Sequence, residues 1–136
     1  MKTPTISRHT RRVALWTSGI TAVLVLAAFV FISLRIGAEV RAASEAAMAR
    51  HEGDRVQALI LYAEDNRRSF PERNRAVWAL GQLGDRRALP LLRNHYSGKR
   101  CDHGSALCQR ELGKAIKLLE GGLNATALVW RHPAEQ

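Results

Sequence analysis

Acidic residues are scarce in this chain: 12 Asp and Glu stand against 21 Lys and Arg, for a formal net charge of +9 over 136 residues. Cysteine is scarcer still. Cys101 and Cys108 are the two there are, and the absence of a C-x-x-C-H run excludes covalent c-type haem attachment. No convergent set of catalytic residue types stands out, so the chain is read as a non-enzyme with no cofactor. Charge is missing altogether from one stretch, the 22 residues from Val13 to Leu34.

As a helix that stretch is about 33 Å long, against a hydrocarbon core of about 30 Å. A transmembrane helix in contact with the lipid bilayer is therefore predicted over 13–34. A buried helix of a soluble protein is a poor alternative, because a domain this small has nothing to wrap around it. A cleaved signal peptide shares the basic start and the apolar run. Its apolar core is about 7–15 residues, shorter than this one, although the small residues Ala42-Ala43-Ser44 keep cleavage open. Lys2, Arg8, Arg11 and Arg12 precede the span with no acid among them, while the far flank mixes Arg35 and Arg41 with Glu39 and Glu45. Basic residues beside a first span stay in the cytoplasm. The N-terminus is thus expected inside a cell (inner) membrane, with the C-terminal domain in the periplasm or outside the cell.

Four segments follow: a disordered basic tail over 1–12, the span over 13–34, a helical domain over 35–122 and a tail over 123–136. Residues 35–52 are rich in Ala, Glu and Arg and should carry the span onward as a helix, with Gly37 a place to bend. Gly53 stops that helix and Asp54 caps the next, Arg55 to Asp65. Pro71 suits the first turn of a helix over Glu72 to Leu83, and Gly84 ends it. Asp85 caps a fourth helix, Arg86 to Tyr96, in which Pro90 demands a tight start and Leu89, Leu92 and Tyr96 share a face. The last helix is Leu107 to Glu120, and Leu128, Val129 and Trp130 are expected to fold back on it as a lid.

The helices repeat. Gly53-Asp54-Arg55 and Gly84-Asp85-Arg86 each precede an apolar run, about 31 residues apart, a period typical of α-solenoids. The 18 residues from Arg75 to Leu92, which read RAVWALGQLGDRRALPLL, resemble a HEAT-like repeat of the kind named after the phycobilin lyases. In that family an Ala/Leu-rich helix ends in Gly-Asp and a second helix starts with a basic residue, Ala, Leu and Pro. The resemblance implies an all-α fold: the span, then a short HEAT-like α-solenoid of about two and a half helix pairs. It implies a scaffold or binding role and carries no catalysis.

Outside the cytoplasm, Cys101 and Cys108 are expected to form a disulfide, worth about 2.5 kcal/mol in the chain-entropy model. The alternative is a metal-handling or enzymatic loop over 95–108, in which His95, Cys101, His103 and Cys108 would suit zinc, though at no familiar spacing. Asp102, His103 and Ser105 lie too close in sequence to make a hydrolytic triad and read as turn residues. Arg67, Arg68, Arg73 and Arg75 are the densest basic cluster in the domain, and Trp78 follows. Either they are a solvated turn and a packed indole, or they form an interaction face for an acidic partner. Asn124-Ala125-Thr126 matches a glycosylation acceptor. The expected role is a membrane-anchored interaction scaffold for an envelope protein, without nucleic acid. A third class, a small subunit of a membrane complex, would use the span itself as the contact.

Overall fold

Two aspartates punctuate the chain where it turns from one helix to the next. Asp54 accepts the backbone N–H groups of Val56 and Gln57 at 3.0 and 2.9 Å, capping the helix Arg55–Glu64. Asp85 accepts that of Arg87 at 2.9 Å. Gly53 and Gly84 precede them at φ 118° and 75°, conformations that a side chain would strain. The Gly-Asp repeat seen in the sequence is therefore a repeated device for ending one helix and starting another.

In the computed structural model, which describes residues 8–102 and 106–131, the regular elements are all helical. They are α1 (Arg8–Met48), α2 (Arg55–Glu64), α3 (Phe70–Leu83), α4 (Leu89–His95), α5 (Gln109–Leu119) and α6 (Ala127–Trp130). A 3-10 turn over Arg86–Ala88 leads into α4. The fourth helix thus begins three residues later than its sequence reading. Pro90 has no N–H and would clash with the carbonyl of Arg86, so the α-form cannot run through the first turn. Tyr96, expected on the buried face of that helix, follows it and is exposed.

α1 begins at Arg8, so residues 8–12 are helical where disorder was expected, and the rest of the expected tail, 1–7, lies outside the described residues. It runs unbroken through Gly37 as a single element of 41 residues, about 60 Å long. Its two parts differ in surroundings. From Trp16 to Ile32 every side chain is exposed, including Trp16 at 73%, Val23 at 66% and Phe31 at 65%. Val40, Ser44 and Ala47 are fully buried. By length and composition α1 can cross a membrane.

The C-terminal part of α1, α3 and α5 pack side by side with α3 in the middle; α2 bridges α1 and α3, and α4 packs on α5. One core, built around Leu59, Val77, Leu80, Leu92 and Leu112, runs through the stack. The count is the two and a half helix pairs of a short HEAT-like solenoid. α3 starts well: the Glu72 carboxylate reaches back to the Ser69 N–H at 2.9 Å and its hydroxyl at 2.7 Å. Gly81 allows a close crossing, since a Cβ there would lie 2.8 Å from Ala115 Cα of α5.

The last turn does not cover α5. α6 packs on α1, where a Cβ on Gly37 would lie 2.7 Å from the Trp130 side chain. Gly37 is therefore a seat for an indole rather than a bend. Leu128 faces outward and Trp130 is buried.

Candidate functional site

The basic cluster after α2 resolves into four different situations. Arg67 lies on the surface, with its Nε 3.0 Å from Asp65. Arg68 sits 3.7 Å from Asp65 and 3.9 Å from Glu72. The hydrogen bond from Arg67 holds the Asp65 carboxyl below the usual carboxylate range, as the Ser69 hydroxyl does for Glu72. Arg73 is buried: its Nε donates to the Ala63 carbonyl at 2.7 Å and its guanidinium lies 5.3 Å from the centre of the Phe70 ring. It ties α3 to the end of α2 and cannot belong to an exposed interaction face. Arg75 is exposed and has no acidic partner among the described residues. Of the four, Arg67 and Arg75 are exposed, Arg68 is held by two carboxylates, and Arg73 is buried.

Trp78 is half-buried and forms part of an open groove between α3 and α5. Leu118 and Leu123 extend its apolar surface, and Glu111, Lys114 and Lys117 supply its polar rim. A second hollow shares Gly81, Leu118, Gly122 and Leu123 and continues toward α6, where Leu128 is exposed at 84%. Gly81 lets α3 and α5 meet at Ala115, and Gly122, just past the end of α5, adds no side chain to the groove beside that contact. Sequence reading singled out Trp78 but missed Leu123, since residues 123–136 have no helical period to place it.

On the other side of the stack, Arg87 joins the two Gly-Asp motifs. Its guanidinium lies 2.6 Å from Asp54 and 2.8 Å from Asp85. Both carboxyls are held below their ordinary range, with the Arg87 hydrogen bond the largest cause, and Arg87 is raised in turn. A cavity of about 70 Å³ beside this clamp is closed by Trp130 and Arg131. That volume is room for a few waters and too small for a metabolite. Arg131 donates to the Gln82 carbonyl, satisfying one of the last carbonyls of α3. Burial lowers its pKa. Asn124 is also engaged. Its Nδ2, the atom a glycan would need, donates to Gln82 Oε1 at 3.0 Å, and its Oδ1 accepts the Thr126 hydroxyl at 2.9 Å.

The Cys loop is brought together. The sulfurs of Cys101 and Cys108 lie 2.7 Å apart, within reach of the expected disulfide. Cys108 is buried at 2% and Cys101 is half-buried. Asn74 of α3 accepts the Cys108 N–H at 2.8 Å, and Cys101 Sγ accepts the Arg110 N–H at 3.2 Å in the first turn of α5. The hydrogen bond from Cys108 and then that from Arg110 push the Cys101 thiol down. Gln109 fastens the start of α5 to the end of α4, donating to the His95 carbonyl at 3.1 Å and accepting the Ser97 N–H at 2.7 Å. His103 and Ser105 lie outside the described residues. Among those described, no three His, Cys, Asp or Glu side chains gather as metal ligands.

A helix pair closed by a Gly-Asp turn, repeated along a single core, defines a helical-repeat protein. Residues 72–97, α3 through α4, match the PBS lyase HEAT-like repeat, so the chain contains a HEAT-like repeat there. No curated protein and no solved structure matches it.

Proposed function

We propose that this chain is a membrane-anchored interaction module. α1 holds the stack at a bilayer, and the stack docks a protein of the envelope along the α3–α5 groove. The observation that carries the reading is the match to a repeat that generally mediates protein contacts, placed where Trp78 is left half-exposed in a groove. Aromatic side chains in such settings dominate binding energy. Lys114 and Lys117 outnumber Glu111 on the rim, and with the chain's net charge of +9 they favour a partner with an acidic rim.

Two features support an uncleaved anchor. The apolar part of α1 is exposed, unlike the core helix of a soluble protein. Cleavage beside Ala43 would also remove Val40 from the core, where it is fully buried. The basic residues before the span favour a cytoplasmic N-terminus and an extracytoplasmic stack.

Extraction of membranes at alkaline pH tests the anchor: the full-length chain is expected in the pellet, and a shortened chain in the supernatant would overturn it. Sidedness is read from C-terminal fusions to alkaline phosphatase and to a cytoplasmic fluorescent protein, with only the phosphatase expected to be active. For the docking face, a photo-crosslinking amino acid at Leu123 or Lys117 is expected to capture a discrete species in cells. Trp78→Ala should abolish that product, and the same probe at Glu45 should give none. Equal capture at all three positions would remove the case for the groove.

A further inference from the structure

We propose that Cys101 and Cys108 form a thiol–disulfide exchange site, in which Cys101 is the sulfur that meets an incoming disulfide and Cys108 is the sulfur that resolves it. The inference is independent of the docking groove and of the membrane anchor.

The geometry divides the labour. Cys108 is 2% exposed and its backbone is pinned by Asn74 on α3, so an external disulfide cannot reach its sulfur. Cys101 is half-exposed, and its sulfur is the one held at the first turn of α5 by the Arg110 N–H. The 11-residue helix behind that N–H adds its positive end to the stabilisation of a thiolate. The hydrogen bond from Cys108 pushes the Cys101 thiol down most, and the Arg110 N–H pushes it the same way. With the sulfurs 2.7 Å apart, closing a covalent bond needs a shift of less than about 1 Å.

The reaction balances with an organic disulfide, R–S–S–R, as the two-electron oxidant. The Cys101 thiolate attacks one sulfur of R–S–S–R, forming Cys101–S–S–R and releasing one RS⁻. Cys108, as it loses its proton, attacks Cys101 Sγ in that mixed disulfide and expels the second RS⁻. The products are the Cys101–Cys108 disulfide and two RSH, which carry the two protons given up by the thiols. The reverse sequence reduces the pair, with Cys101 again the sulfur that bears the mixed disulfide.

The test uses the reduced full-length chain in detergent, with oxidised glutathione as the probe, acid quenching and intact mass spectrometry. Wild type is expected to lose two hydrogens without a lasting adduct. Cys108→Ser should accumulate one glutathione on Cys101. Cys101→Ser should form its adduct at least about tenfold more slowly, because the buried thiol must wait for local opening. Limiting iodoacetamide on the unaltered chain provides a second reading that needs no variant: peptide mapping should find Cys101 labelled first. In urea the two sites should label at similar rates. Adducts forming as fast on Cys101→Ser as on Cys108→Ser, labelling of Cys108 first in the folded chain, or a stable mixed disulfide on the wild type would each overturn the assignment.

Discussion

Arg73 shows how a charged residue becomes part of a core. Its guanidinium is held by one carbonyl and one ring face, both supplied by the segment just before it, so its burial leaves no donor wasted at Nε. Replacing it with Met keeps the packing volume but orphans the Ala63 carbonyl. A loss of about 2 kcal/mol is expected in urea unfolding, within the range for a hydrogen bond to a charged group. Arg75→Ala, on the surface, should leave stability within about 0.5 kcal/mol. Asp54 and Asp85 extend the residue-scale argument to pH. Their folded pKa values lie below the unfolded ones, so the stabilisation is fully present above about pH 4 and is lost as pH falls through the lower folded values. Thermal melts between pH 6 and pH 2 should show that loss, and Arg87→Gln should flatten it by removing the shared cation. An unchanged pH profile in that variant would mean the clamp contributes nothing. The four arginines of the α2–α3 turn were legible in the sequence as a cluster. Their separate fates were not, because whether an arginine points to water or to a carbonyl depends on where the preceding helix ends.

At the scale of elements, the helices were read from period and punctuation, and their ends mostly from Gly, Asp and Pro. The exceptions have local causes. Pro90 converts the start of the fourth helix into a 3-10 turn, and α6 lies on α1 because Gly37 leaves room there for Trp130. The α3–α5 crossing is the most sensitive contact between elements. Gly81→Val puts a branched side chain where even a Cβ would lie 2.8 Å from the Ala115 backbone. The helices must then separate, and a cost of about 1–3 kcal/mol or more is expected, with the groove altered as well. Gly19→Val, at a glycine with open space around it, serves as the control and should cost little.

For the whole molecule, α1 is both the exposed apolar helix and the first helix of the stack. The two roles can be separated. A chain beginning at Arg35 keeps Val40, Ser44 and Ala47 in place and is expected to stay folded and dissolve without detergent. A chain beginning at Ala49 loses all three and is expected to lose cooperative unfolding, measured by circular dichroism on heating. If the second chain melted as sharply as the first, the C-terminal part of α1 would be an appendage and not a layer of the fold. At that end of the stack, the helix leaving the apolar segment shields the core.

The order of the residues was enough to place the apolar helix, the helical class and the HEAT-like pair over 72–97. Those features are written in periods of charge and apolarity and in the Gly-Asp turns, which act over a few residues. The α3–α5 groove, the internal role of Arg73, the Arg87 clamp and the seat of Trp130 on α1 needed the folded chain. Each depends on atoms tens of residues apart meeting at one distance. No local pattern contains that information, because close packing at Gly81 and Gly37 is decided by the partner that arrives there.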